Sequence, residues 1–495
     1  MIDLLRRATE TGVGRRPGMV AVAVTVVLVA LIAVHPLAPL AVIAVGVAVL
    51  MAVRTPALLA VVTLFLAFLS TPLQAVLGGA SSQLDEAALV FCLLALPLRR
   101  LLTEGRIVVI PGSLWFLLFG IWGVVCGLQQ DVPRSLVVLG AFVALKAALL
   151  AFALAQVPWT RAHLRTGLAI GAVVVVVVLA SGAVNLLVPG AWTSLLGTTS
   201  LRGPFGLPAL TGIFTRPAAL SRFCGVVALG ALAYLIAVRR SFPAVVAVLG
   251  CTALALLTLQ VKTMLGLLGT MVVLSIPTLR RAGSRTVLAF LPVLAVFLAP
   301  PLWLVVRTDV SQYVFQESAR SLLTRGGVEV AQATFPFGAG FGRYASSTAA
   351  ENYSPWYYAL GFDKRFGMGP GPDSGMFLND SQWPAIFGEA GWIGGVLFAL
   401  ALAATLLFLV KGLWREEDPL FRWIRIAGIG WMLLLVTESL AAPVFVSAPA
   451  YPFLLLAGAV LAGIARGGSG SALANGSRPA ATVPGPAVDT VPEPR

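Results

Sequence analysis

Histidine is almost missing from this chain: His35 and His163 are its 2 imidazoles in 495 residues, each in a short loop and far from the other. Metal sites built on imidazole, and nucleophile systems of the Ser/His type, therefore lack their raw material. Cysteine is nearly as scarce. Cys92, Cys126, Cys224 and Cys251 all fall inside apolar runs without CxxC or metal-ligand spacing, which reads as small buried hydrophobes and excludes a disulfide framework or a zinc site. Charge is the third scarcity, at 11% of residues against 59% hydrophobic, too little to coat a soluble domain of this length. The charge that is present leans basic, for a net +14. Its arginines come in short clusters between apolar runs and build no basic domain, so nucleic acid is not the partner they imply.

What the chain has in quantity is long apolar runs, each able to cross a bilayer as a helix that satisfies its own backbone. The short alternating segments of a membrane β-barrel are absent. The sequence therefore predicts an all-α, polytopic transmembrane helical bundle of about 14 spans at about 20 apolar residues each. The basic segment MIDLLRRATETGVGRRPG precedes the first run without a clear cleavage site after it, so residues 1–18 are expected in the cytoplasm ahead of an uncleaved helix. Arg99, Arg100 and Arg106, then Arg161 and Arg165, Arg239 and Arg240, Arg280, Arg281 and Arg285, and Lys411, Arg415, Arg422 and Arg425 all fall on loops of that same parity. The positive-inside bias then places all of them in the cytoplasm. Residues 19–465 form the transmembrane domain. Residues 466–495, rich in Gly, Ser, Pro and Ala, are expected to be a disordered cytoplasmic tail.

Two long loops, 189–221 and 307–384, have the opposite parity and face outside on this reading. The second contains SQYVFQESARSLLTRGGVEVAQATFPFGAGFGRY, whose apolar spacing predicts an amphipathic helix ending at Pro336, then a Gly-rich turn and the aromatic stretch NYSPWYY. Positive charge on the outer side runs against the topology bias, yet Arg202, Arg216, Arg222, Lys262, Arg320, Arg325, Arg343, Lys364 and Arg365 all fall there. A guanidinium fork binds phosphate oxygens bidentately, so these cations suit a pyrophosphate; solvated loop charges or contacts to anionic lipid are the other reading. Inside the runs lie Lys146 and Glu438, either an ion pair with each other, snorkelling side chains, or part of a substrate path. The second loop closes on FLNDSQWPAIFGEAGWIGG. It sets Asn379, Asp380, Ser381 and Gln382 at the mouth of a helix and Glu389 within it, bonded to backbone or to a polar neighbour at the rim.

Four segments in this order, LTGIFTRPAALSRF, LTLQVKTMLGLLG, ARSLLTRGGVEVAQATFPFGAGFGRY and NDSQWPAIFGEAGWIGG, resemble the O-antigen ligase and polymerase family over roughly the last 300 residues. They are similar to that family's first outer loop, its cationic helix entry, its Arg-led outer helix ending in P-x-x-G-x-G, and its polar mouth before E-x-G-x-x-G. The resemblance implies a glycosyltransferase of the C-type membrane architecture in the bacterial inner membrane. It would act on the outer face, taking a polyprenyl-pyrophosphate-linked glycan as donor and a glycan or lipid hydroxyl as acceptor, without a metal or other cofactor. It implies pyrophosphate binding by Arg216, Lys262 and Arg320, with Arg202, Arg222 and Arg325 as near substitutes. Asp380 would accept the acceptor's proton, Asn379 and Gln382 would orient the sugar, and Glu389 would hold the mouth by bonding to it or to a nearby arginine. Trp356, Tyr357 and Tyr358 would stack on sugars. Where ligases carry a histidine in the mouth this chain has Asn379 and Asp380, Lys262 stands for an arginine and Ala218 for an asparagine; these departures favour polymerisation, or transfer to another envelope acceptor.

Other readings stand beside this one. A multi-pass transporter or flippase of lipid-linked glycan would use Lys146 and Glu438 in alternating access, and a non-catalytic assembly protein would need neither outer cations nor a carboxylate at the mouth. Asp380 also has a structural reading, as the cap of the helix entered near Pro384.

Overall fold

The computed structural model describes residues 38–77, 83–196, 209–276, 317–371 and 377–474. The expected cytoplasmic segment 1–18, Arg202, the basic loop at 280–285, the start of the second outer loop and residues 475–495 lie outside them. Among the described residues every regular element is helical. In chain order these are α1 (Ala38–Arg54), α2 (Pro56–Leu77), α3 (Leu84–Glu104), α4 (Ser113–Gln129), α5 (Arg134–Ala155), α6 (Arg161–Leu187), α7 (Pro189–Leu195), α8 (Pro217–Ala237), α9 (Phe242–Leu257), α10 (Val261–Ser275), α11 (Ala319–Ala333), α12 (Ser347–Glu351), α13 (Pro355–Ala359), α14 (Gln382–Leu413), α15 (Pro419–Ser439) and α16 (Tyr451–Ala474). The last runs past Ala465, where the tail was expected to begin.

Among the described residues 6 helices are long and apolar enough to cross a membrane, namely α2, α5, α6, α8, α14 and α15, and α1, α4, α9, α10 and α16 hold shorter apolar stretches. Leu94, Leu102, Leu117, Val138, Val176 and Val396 are each more than half exposed, an apolar surface that water would not tolerate on this scale but lipid does. Local sequence starts and stops the helices. Proline opens α2, α8 and α15 at positions whose missing N–H costs nothing. Asp418 caps α15 by accepting from the Leu420 amide at 2.8 Å, and Gly105 ends α3 in the left-handed region, φ 65°.

Long-range contacts sort the helix ends into two groups. Arg100 donates to the Ala155 carbonyl at the end of α5, Arg161 pairs with Asp418, Arg425 pairs with Glu416 and donates to Phe408, and Trp423 packs on Tyr234 near the end of α8. The described arginine-rich turns thus share one end of the bundle, as their parity predicts. The beginnings of α3, α8, α10, α14 and α16 and the ends of α4 and α15 meet at the other.

That second end carries the described part of the long loop. Its helix α11 is amphipathic, as the spacing predicts, and stops at Ala333, just short of Pro336. Ser318 and Ser321 form a reciprocal capping box at its start. Leu323, Val330, Tyr344, Tyr357, Phe362 and Met368 give the loop its own small core. A Gly-rich turn then pins this unit into the bundle. Phe341 inserts beside Phe119, with ring centroids 5.5 Å apart, and fits only because Gly123 and Gly140 leave room; a Cβ on Gly140 would stand 2.5 Å from the Gly342 nitrogen.

The turn lies against a break in α14. Gly391 has φ 64° and ψ −169°, outside helical geometry and open to glycine, so the carbonyls just before it lose their helical partners. Each finds another: the Ala339 amide donates to Gly388 at 2.8 Å, the Gly340 amide to Glu389 at 2.9 Å, and the Trp122 indole to Ala390 at 2.9 Å. Broken backbone at membrane depth survives only with such replacements. Gly338 sits so close that a Cβ would fall 2.3 Å from the Glu389 carbonyl oxygen.

Candidate functional site

The carboxylate of Glu389 is the anchor of this junction. One oxygen accepts from the Gly342 amide at 2.9 Å, the Tyr344 amide at 3.2 Å and the Ser346 hydroxyl at 2.6 Å. The expectation that it bonds to backbone holds, while the expectation that it bonds to the mouth residues or to an arginine does not. The break in α14 turns it toward the Gly-rich turn. Tyr357 is likewise structural. It is fully buried, its hydroxyl accepts from the Ala345 amide at 2.9 Å, and burial pushes its phenol and that of Tyr344 far above their usual range. Its expected stacking on sugar is therefore corrected; Tyr358 is more than half exposed and Trp356 half-buried.

At the mouth, Asp380 pairs with Arg320 of α11. It does not cap α14: Ser381 holds the cap position and makes no capping bond. The Gln382 side chain is buried and accepts from the Phe445 amide at 3.2 Å, tying the start of α14 to the segment between α15 and α16. Trp383 reinforces the same seam with an indole bond to Ser439 at 2.9 Å.

Beside this seam stands a group of charges drawn from four helices. Arg222, on the second turn of α8, donates to Glu438 of α15 at 2.8 Å and reaches Ser447 at 3.5 Å. Glu438 is fully buried, and its second oxygen has no hydrogen-bond partner among the described residues. Lys262, on the first turn of α10, donates to the Ala441 carbonyl at 2.8 Å. Arg222, Arg320, Asp380 and Glu438 all lie near enough to act on its charge. The fold thus gathers Arg222, Lys262, Arg320 and Asp380, four of the residues singled out from sequence. Arg216 and Arg325 are exposed, Arg216 at the start of α8 and Arg325 on α11, and neither makes a side-chain bond among the described residues.

Lys146 and Glu438 do not pair. Lys146 bridges Asp85 and Glu86 of α3 at 3.0 Å each and lies 4.8 Å from the centroid of the Tyr451 ring. Glu438 belongs to Arg222. The sequence reading missed Asp85 and Glu86, although two acids opening an apolar run, LDEAALVF, are a visible signal of a buried partner. It also missed Ser346 and Ser447, for which no local signal exists.

A partly open cavity of about 180 Å³ lies behind the mouth. Asn379, Ser381, Gln382, Glu389, Ser346, Ser447, Glu86 and Lys146 supply its polar lining, with Phe119, Val143, Phe341 and Ile386 among its apolar walls. Ser447 joins it to the charge group. Among the described residues no cluster of His, Cys, Asp or Glu is arranged to hold a metal ion. No protein-family model matches the chain, and no curated protein matches it.

Proposed function

We propose that the protein is a membrane glycosyltransferase that transfers or polymerises a polyprenyl-pyrophosphate-linked glycan at the mouth end of the bundle. The observation that carries the proposal is the convergence of Arg222, Lys262 and Arg320 beside Asp380 and next to a cavity with apolar walls and scattered polar groups. A lipid-linked donor presents its pyrophosphate at the edge of the bilayer, where α8, α10 and α14 begin. Fixed cations there hold the diphosphate and stabilise the charge that grows on it as it leaves. The acceptor hydroxyl oxygen forms a bond to the anomeric carbon. The bond from that carbon to the pyrophosphate oxygen breaks, its electron pair departs with the polyprenyl pyrophosphate, and the hydroxyl proton passes to Asp380. Arg320 has two roles in this scheme. It occupies the Asp380 carboxylate in the resting state and turns to the phosphate when donor arrives.

Arg216, Lys262 and Arg320 remain the expected phosphate ligands. Arg216 is exposed and makes no side-chain bond among the described residues, Lys262 has one carbonyl to exchange among them, and Arg320 has Asp380 to leave. Replacing any one by Ala is expected to lose about 2–4 kcal/mol of transition-state stabilisation. The measurement is release of polyprenyl pyrophosphate by purified protein supplied with lipid-linked glycan and acceptor. Wild-type rates in all three variants would sink the assignment.

The mouth is expected to face the outside of a bacterial inner membrane, because the arginine-rich turns share the opposite end. Ser354 is buried and caps α13, so the exposed Glu351 is the better reporter. The Glu351→Cys variant should react with an impermeant maleimide in intact cells. Reaction only after permeabilisation would reverse the orientation. A second reading, a flippase of lipid-linked glycan, draws on Lys146, Asp85 and Glu86 inside the bundle beside the cavity. It predicts movement of the donor across sealed vesicles with no polyprenyl pyrophosphate released.

A further inference from the structure

We infer that the cavity behind residues 379–382 is a saccharide subsite that admits the acceptor's terminal sugar in neutral or amino form and rejects a carboxylate-bearing one. This rests on the transferase reading for the word acceptor, but the chemistry of the cavity is argued independently.

Ser381 carries the first part of the inference. Its side chain is 1% exposed, lines the cavity, and its hydroxyl has no hydrogen-bond partner among the described residues. A buried hydroxyl left unmatched is costly, and a ligand hydroxyl removes that cost. The Asn379 side chain, half-buried beside it, also lines the cavity. The volume of about 180 Å³ corresponds to about six water molecules at roughly 30 Å³ each, the scale of a single sugar ring. Its apolar walls suit the C–H faces of such a ring, and its scattered polar groups suit the ring's edge.

The charges carry the second part. Glu86 and Glu389 both line the cavity. Lys146 also lines it, and its ammonium already bridges Asp85 and Glu86 at 3.0 Å each. An entering carboxylate would meet the Glu86 carboxylate and an ammonium already shared by two acids, whereas an amino group would find Glu86. The position of the cavity fits an acceptor. Asp380, between two lining residues, is not part of the lining; its carboxylate is directed to Arg320. Cavity and cation group meet at Ser447, which lines the one and accepts from Arg222 of the other. An acceptor held in the cavity and a donor held by the cations would therefore approach each other across the mouth segment.

The experiment reads the cavity directly. The full-length Ser381→Cys variant in lipid nanodiscs is treated with methyl methanethiosulfonate, with the wild-type protein, whose four cysteines are buried, as background. Methyl glucoside and methyl glucosaminide are expected to slow modification about threefold when present at about twice their Kd, and methyl glucuronide to leave it unchanged. Adding Glu86→Gln should let the glucuronide protect as well. The inference is overturned if the reagent never reaches the new thiol, if no glycoside protects it, or if the glucuronide protects it equally without the second substitution. Protection of the variant, together with wild-type protein that releases no polyprenyl pyrophosphate, would uphold the saccharide subsite and reject the transferase.

Discussion

The Asp380→Asn and Asp380→Ser variants are expected to lose about 10²–10⁴-fold in kcat, the usual worth of general-base assistance, with no rise in the KM for the lipid-linked donor. Both parts of this expectation come from the geometry. Asp380 is paired with Arg320 and does not cap α14, so neither substitution removes a helix cap. Each frees the Arg320 guanidinium, which then meets the incoming pyrophosphate without first leaving a carboxylate. A residue that only positioned donor would behave in the opposite way, raising KM with kcat intact. Steady-state kinetics of purified variants at matched protein level separate the two. Near-normal turnover in both variants would remove the catalytic role and leave the mouth as a structural rim.

The Arg222→Ala variant is expected to lose stability by about 3–5 kcal/mol, the cost of stranding one member of a buried ion pair. Glu438 is fully buried and has one oxygen on Arg222 and, among the described residues, no partner for the other; removing the guanidinium leaves the carboxylate without its hydrogen-bonded counter-charge, and Lys262, bonded to the Ala441 carbonyl, is the nearby cation that remains. The pair also links α8 to α15 and steadies Ser447, so the damage should spread to the seam beside the cavity. In the Arg222→Met/Glu438→Leu double variant both charges are gone, and most of the stability should return. Thermal unfolding in nanodiscs is the readout. A single variant as stable as wild type would show that Glu438 has another partner. If the double variant recovers stability but not activity, Arg222 also acts on substrate, beyond its tie to Glu438.

Local patterning carried the parts of this molecule that depend on neighbours along the chain. The apolar runs had to be helices because backbone groups in lipid have no other partners. Residues 319–333 had to be amphipathic because their apolar positions recur at helical spacing. The arginines at 99–106, 161–165 and 411–425 cluster at one end of the bundle because successive spans alternate in direction, which parity alone records. Asp380 and Gln382 stood out as polar residues at a helix mouth before any contact was known.

What local patterning could not carry is which of the rare charges meet. Lys146 finds Asp85 and Glu86 from 61 and 60 residues away, and Arg222 finds Glu438 across 216. A charge within an apolar run demands a partner, because its desolvation is costly, but nothing in its own segment says where that partner comes from. The same limit explains Glu389. Its place in E-x-G-x-x-G was visible, yet its bonds to Gly342, Tyr344 and Ser346 exist only because Gly391 breaks α14 and the turn at 338–342 fills the gap. The sequence by itself determined an all-helical chain with spans fit for a membrane, two long loops of one parity and a polar mouth, since these follow from local hydropathy and charge. Only the tertiary structure decided that three helices bring three cations to that mouth and that a cavity lies behind it, since those depend on packing between segments that no local pattern relates.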